Sequence, residues 1–193
     1  MGKILDWPLV LEDEKIIGCG GNQEWFDDKW ARKAGCGSVS ANDVYTFYTS
    51  TKTTFSKEEY LLAMEKMFAV MTPKKMGFPY AYLYARRLHS KLQDVGFITT
   101  YKVFRNPEPN TTSKLVKEAI DTNNPLGLLI LRHRRWQLRH DIWHWVTIFG
   151  YRETNKGLII IISDCGEKKE IPARILFEKH RFNYFKLVKF DKQ

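Results

Sequence analysis

Apolar positions along this chain change their period near residue 125. Before it they recur at helical spacings, and after it they gather into short, nearly continuous runs. Ala41, Val44, Tyr45 and Tyr48 are spaced by three, one and three, which predicts a buried helix over 39–48 that ends in the Thr/Ser run 49–54. Tyr60, Leu61, Met64, Phe68 and Met71 form a second stripe, with the methionines filling core gaps. Ser56, Lys57, Glu58 and Glu59 ahead of it have the form of a capping box, and Pro73 sets a stop. Tyr80, Tyr84, Leu88 and Leu92, spaced by four, predict a third helix over 80–93, which Gly96 ends. Residues 97–104 read as a strand and 106–110, with two prolines, as a loop. A short helix carrying Leu115, Val116, Ala119 and Ile120 is expected to start at a Thr112 or Ser113 cap. Residues 1–21 show no clear period and predict an extended lead-in and turn; 22–30 read as a Trp-rich loop.

Beyond residue 125 the period is that of strands. Runs of Ile, Leu, Val and aromatics at 126–131, 143–151, 158–162 and 185–190 predict an antiparallel sheet. Helices followed by strands make the α+β pattern. A single domain over 1–193 is expected, with 1–124 mainly helical and 125–193 mainly β.

Composition narrows the functional classes. Hydrophobic content of 44% and aromatic content of 14% suit a packed core rather than a disordered chain. No run of about 18 apolar residues exists, so no membrane partner is expected. Asp6 and Pro8 interrupt what a secretory segment would need as an apolar stretch, and the expected location is cytoplasmic. Three cysteines, Cys19, Cys36 and Cys165, do not make a disulfide framework and leave free thiols. The net charge of +9 raises a nucleic-acid partner, but the cations are scattered, which disfavours it. Their one dense cluster is 132–139, with Arg132, His133, Arg134, Arg135 and Arg139 beside Trp136; it is either a solvated loop or a grip for an acidic partner.

The candidate chemistry starts at Cys36, between Gly35 and Gly37 where a helix begins. A small buried cysteine at a tight turn is the plain reading. The alternative is a nucleophile, because first-turn N–H groups and the helix dipole favour an anion there. Cys19 also lies among glycines, but a loop follows it. His144 starts one predicted strand and Asp164 ends the next. A turn centred on Thr154 sets these two side by side on one face, where a carboxylate can orient an imidazole that takes a thiol proton. His133 and His140 in the basic loop are weaker candidates, and His89 and His180 read as surface residues. The Cys36 N–H and a side-chain amide, Gln23 first and Asn22 second, are the candidate oxyanion donors. Trp25, Trp30, Gly35, Trp143 and Trp145 complete a candidate substrate-contacting set. A zinc site from Cys19, Cys36, His144 and Cys165 lacks any C-x-x-C or H-x-x-H pair, so no metal or other cofactor is expected.

In order and spacing these residues resemble the papain-like cysteine peptidases of the bacterial C39-like group. The features that carry the likeness are Gln23, Asp28 and Trp30, then Gly35-Cys36-Gly37 opening a helix, Pro125 and the strand after it, the His144 to Tyr151 strand, and Asp164. They span roughly residues 20–166. Two places depart: Ser38 stands where the family usually has proline, and Cys165 follows the aspartate where proline is common. The resemblance implies a papain-like fold with the nucleophile helix packed on the sheet, and cleavage of a peptide or amide through a thioester. Two alternatives stay open: acyl transfer to an amine on the same triad, and a non-catalytic binding module using the basic aromatic loop.

Overall fold

The computed structural model describes residues 1–75, 77–135, 138 and 142–192 and has mixed α+β architecture. The chain opens with strands rather than a featureless lead-in: β1 (Gly2–Ile4), β2 (Leu9–Glu12) and β3 (Lys15–Cys19). Short strands with little alternation leave almost no periodic trace, which is why the sequence reads as extended and no more. A 3-10 turn over Gln23–Trp25 and the helix α1 (Lys29–Ala34) occupy the Trp-rich stretch expected to be loop. Asp28 caps α1, its Oδ1 accepting the Ala31 N–H at 2.7 Å. Then come α2 (Cys36–Thr49), β4 (Thr54–Ser56), α3 (Lys57–Met71) and α4 (Ala81–Gln93). The capping residue of α3 is as expected, with Ser56 Oγ accepting the Glu59 N–H at 3.1 Å.

After β5 (Thr99–Arg105), α5 (Pro109–Asp121) begins ahead of the expected caps. Pro109 takes the first helical position, where its fixed φ and missing N–H cost nothing. Thr112 instead turns its hydroxyl back on the carbonyls of Pro107 and Glu108. The remaining elements are β6 (Leu126–Arg132), β7 (His144–Thr154), β8 (Gly157–Asp164), β9 (Glu167–Pro172), α6 (Ala173–Leu176) and β10 (Tyr184–Lys192). Of the basic stretch, Trp136, Gln137, Arg139 and His140 lie outside the described residues.

The large sheet is antiparallel, in the order β5-β10-β6-β7-β8-β9, and β1 continues the β6 edge of β7. A small sheet, β3-β2-β4, lies with α1 and α3 around Val10, Phe26, Phe55, Tyr60 and Met64. Both faces of the large sheet are covered. On one, Trp145, Phe149, Ile161 and Val188 meet α2 and α4 through Ala41, Val44, Ala85 and Leu88. On the other, Val146, Ile148, Ile160 and Ile162 meet α5 and α6 through Val116, Ile120 and Leu176. Two covered faces explain why β6 and β8 are runs of apolar residues rather than alternations. Leu88 is fully buried between α4 and the sheet. Leu88→Ala is therefore expected to cost about 2–5 kcal/mol, and loss of the α3 cap in Ser56→Ala about 1 kcal/mol; urea unfolding midpoints of the two variants test that ranking.

Candidate active site

The helix α2 is buried on all sides over its first two turns, from Cys36 through Val44. Gly35 is its N-cap, but it does not open room for a ligand: a Cβ there would lie 2.4 Å from the Ala31 carbonyl oxygen and 2.7 Å from the Phe26 ring. Its glycine is required by the close contact of α1 with α2. Cys36, first residue of the helix, is 8% exposed. Burial raises its thiol pKa, and the hydrogen bond and charge of His144, with the backbone N–H groups of Trp145 and Gly37, outweigh that; the net direction is down. The other two thiols go the opposite way. Cys19 is pushed up to about 12 by burial and then by the charge of Asp43, and burial also raises Cys165.

His144 opens β7. Its Nε2 lies 2.7 Å from Asp164 Oδ1 and 3.6 Å from Cys165 Sγ. Burial opposes the imidazolium, but hydrogen bonds to Asp164, Cys165 and Cys36 outweigh it and raise the histidine pKa well above its ordinary value. Asp164 is buried, which favours its neutral form; His144 and an ion pair from Lys169 more than offset this and hold the carboxyl well below the usual range. His144 thus interacts with both the Cys36 thiol and the Asp164 carboxylate.

The pairing expected in sequence arises by a different register. The turn is Asn155-Lys156, between Thr154 and Gly157, not centred on Thr154. Near the turn Gly150 faces Ile161, whereas beyond it Ile148 faces Ile162 and Thr147 faces Ser163, so Phe149 is an extra residue in β7. That bulge decides the chemistry. Continued from the turn without it, the register would turn Cys165 and not Asp164 to the face that His144 shares; with it, Asp164 is diagonal to His144 on one face. Directly after Asp164, Cys165 and Gly166 have φ of 48° and 79° and close the β8–β9 hairpin in two residues. Proline, fixed near −65°, cannot take the place of Cys165 in this turn.

Gln23 lines the same narrow slot as Cys36, His144 and Trp145. Its Oε1 is buried with no partner among the described residues; an oxyanion would take the N–H donors of the same amide, not this oxygen. Asn22, the second candidate, does not line the slot; its Oδ1 caps the 3-10 turn by accepting the Glu24 N–H at 2.9 Å. Of the candidate substrate-contacting residues, Trp145 is in the slot, its indole N–H donating to the Phe78 carbonyl at 2.6 Å and its ring stacked on Tyr84. Trp143 stands half-exposed beside His144. Trp25 and Trp30 do not line the slot; Trp25 packs against Gly18, and Trp30 lies at the surface of α1. His133 is committed elsewhere, with its Nε2 3.0 Å from the Ile175 carbonyl. The slot has room for about 10 Å³, one water molecule. Cavities of about 430 Å³ lie away from it, one of them reaching Phe78.

Asp43 is a member of the site that periodicity did not reveal. It sits on α2 two turns after Cys36, 2% exposed. Its Oδ1 accepts the Gly21 N–H at 2.9 Å and the Tyr60 hydroxyl at 2.8 Å. Ser163, next to Asp164, donates its hydroxyl to the Cys19 carbonyl at 2.5 Å and lies 3.4 Å from Asp43 Oδ2. Asp43 thus ties the loop that carries Gln23 to the strand that carries Asp164. Gly20 is the contact that makes this possible: its φ is 82° and a Cβ would lie 2.4 Å from Asp43 Oδ2. The signal in sequence is a carboxylate in the middle of an otherwise apolar or small-residue helix.

Among the described residues the close cluster of metal-binding types is His144, Asp164 and Cys165, with ligand atoms within 4.8 Å of one another, not the four residues considered from sequence. Both Asp164 oxygens already have partners, Oδ1 with His144 and Oδ2 with Lys169. Comparison of the chain with protein-family models and with curated proteins found no match to either.

Burial pushes the Asp43 carboxyl up to about 7. A carboxyl raised on folding binds its proton more tightly in the folded state, so its contribution to stability falls as pH rises from about 4 to about 7. Asp43→Asn keeps an acceptor and removes the titration. Its stability relative to the unaltered protein is expected to rise across that window by up to about 4 kcal/mol and to level off above it. Denaturant midpoints of both proteins between pH 4 and 8 check the sign and the window.

Proposed function

We propose that the protein is a cysteine-type amide hydrolase or peptidase of papain-like architecture, with the nucleophile helix α2 packed on the sheet that carries its base. The observation that supports this reading best is the convergence of Cys36, His144 and Asp164 from α2, β7 and β8, with His144 hydrogen-bonded at 2.7 Å to the carboxylate and lowering the Cys36 thiol pKa. Cys36 alone among the three thiols is shifted toward the thiolate.

In this mechanism the Cys36 thiolate attacks the carbonyl carbon of an amide. The tetrahedral oxyanion is met by the Cys36 N–H, one of the first-turn donors that a helix leaves without an internal partner, and by the Gln23 side-chain amide. The His144 imidazolium gives its proton to the departing amine nitrogen as the C–N bond breaks, leaving an acyl-thioester on Cys36. Water then attacks the thioester, His144 takes its proton, and the acid departs with Cys36 again a thiolate. Asp164 holds the imidazole ring and supports its positive charge throughout.

Two measurements test the reading. At pH 6.5 iodoacetamide is expected to alkylate Cys36 at least about tenfold faster than Cys19 or Cys165, followed by peptide mass spectrometry; equal rates for the three would sink it. With p-nitrophenyl acetate, a burst of one acyl group on Cys36 is expected, slowed about 10²–10⁴-fold in His144→Ala and abolished in Cys36→Ala.

A further inference from the structure

The edge of the large sheet farthest from β9 carries a second concentration of chemistry, separate from Cys36. There β5 pairs with β10, and Arg105 is the direct partner of Lys186. Directly opposed residues of an antiparallel pair project from the same face with Cβ atoms about 5 Å apart, and two cations so placed repel. Among the described residues neither has a carboxylate within ion-pair distance, whereas Lys189 on the same strand pairs with Asp191 at 2.6 Å. No carboxylate among the described residues offsets the repulsion; Lys186 Nζ lies over the Tyr184 ring, 6.0 Å from its centroid, a weaker contact. Burial and then the charge of Arg105 both disfavour the Lys186 ammonium.

The two cations open on a cavity of about 430 Å³, the size of a small-ligand site. Its other walls are aromatic and apolar. Tyr101 and Val103 come from β5, and Tyr80 and Tyr82 from the start of α4. The Tyr82 and Tyr101 rings meet edge to face at 5.9 Å, and Tyr80 and Tyr82 keep 50% and 61% of their surface exposed. A guanidinium and an ammonium at one end favour an oxyanion, and the tyrosine faces favour a flat apolar body next to it.

We propose that this cavity binds a small anionic ligand. Its carboxylate or phosphate group sits between Arg105 and Lys186, and its aromatic body lies against Tyr80, Tyr82 and Tyr101. The site does not depend on the chemistry of Cys36, and binding there is measurable whether or not the protein hydrolyses amides.

The test uses the full chain with phenyl phosphate, phenylacetate and neutral benzamide as probes, read by thermal unfolding and by titration calorimetry. At least one of the two anions is expected to raise the unfolding temperature saturably, while benzamide does not. Arg105→Gln and Lys186→Gln are each expected to weaken that anion about tenfold, the loss of one charged hydrogen bond. Lys156→Gln, at the β7–β8 turn, is expected to leave it unchanged. Which anion binds more tightly separates a phosphate ligand from a carboxylate one. With no ligand present, Lys186→Gln is expected to unfold at a higher temperature than the unaltered protein, because the like-charge pair is gone. If neither anion binds saturably, if benzamide binds as well as they do, or if both Gln variants keep full affinity, the proposal is wrong. Arg105 is exposed, so its variant carries the test even if Lys186→Gln folds poorly.

Discussion

A carboxylate in a dry place must be matched by positive charge, and much of this structure follows from how Asp164 meets that demand. Its side chain is 4% exposed, and both of its oxygens have cationic partners, His144 on one and Lys169 on the other. Removal of either partner would leave a buried charge less compensated, which costs far more than the pair contributes when intact. The arrangement also sets the state of the imidazole. Held by Asp164 on one side, His144 favours its charged form, and that charge in turn favours thiolate at Cys36. The proposed nucleophile, base and orienting acid are thus one electrostatic unit rather than three separate residues.

The helix that carries Cys36 makes that unit rigid. Its polar residues are buried and tied to neighbours: Ser40 bonds Tyr84 and Thr147, and Asp43 bonds Gly21 and Tyr60. Each bond reaches a different element, so α2 cannot slide or turn without breaking hydrogen bonds in places where water cannot replace them. The same ties fix the loop before α1, and with it Gln23, relative to the start of α2. The slot around Cys36 is accordingly narrow, and the tyrosine-walled cavities next to α4 are far roomier.

The positive charge of the chain is used unevenly. Arg134 and Arg135 of the basic stretch both clamp Glu178, at 2.6 and 2.8 Å, so part of that cluster is neutralised within the fold. Arg105 and Lys186 have no such partner among the described residues. A count of Lys and Arg along the sequence does not distinguish these cases, since what matters is whether a carboxylate folds back within a few ångströms of each.

The sequence by itself determined the long helices, the four main strands and the α+β class, because apolar period, caps and stops act over a few residues at a time. It also singled out Cys36, His144 and Asp164 by residue type and position at element ends. It missed the short N-terminal strands and the helix after Asp28, which are too short to show a period. It also missed β9, which pairs with the adjacent β8 but is mostly charged, has no buried residue and so carries no apolar strand signal. It set Trp25 and Trp30 among the substrate contacts, and neither lines the slot around Cys36. Only the tertiary structure decided that Asp164 reaches His144. The turn lies later than its residues suggest, and Phe149 bulges; the two differences together preserve the shared face while changing the partners. A bulge has no reliable local signature, because it is selected by the packing of both sheet faces at once. For the same reason Asp43 and the Arg105–Lys186 pair emerged only when strands and helices from distant parts of the chain were brought together.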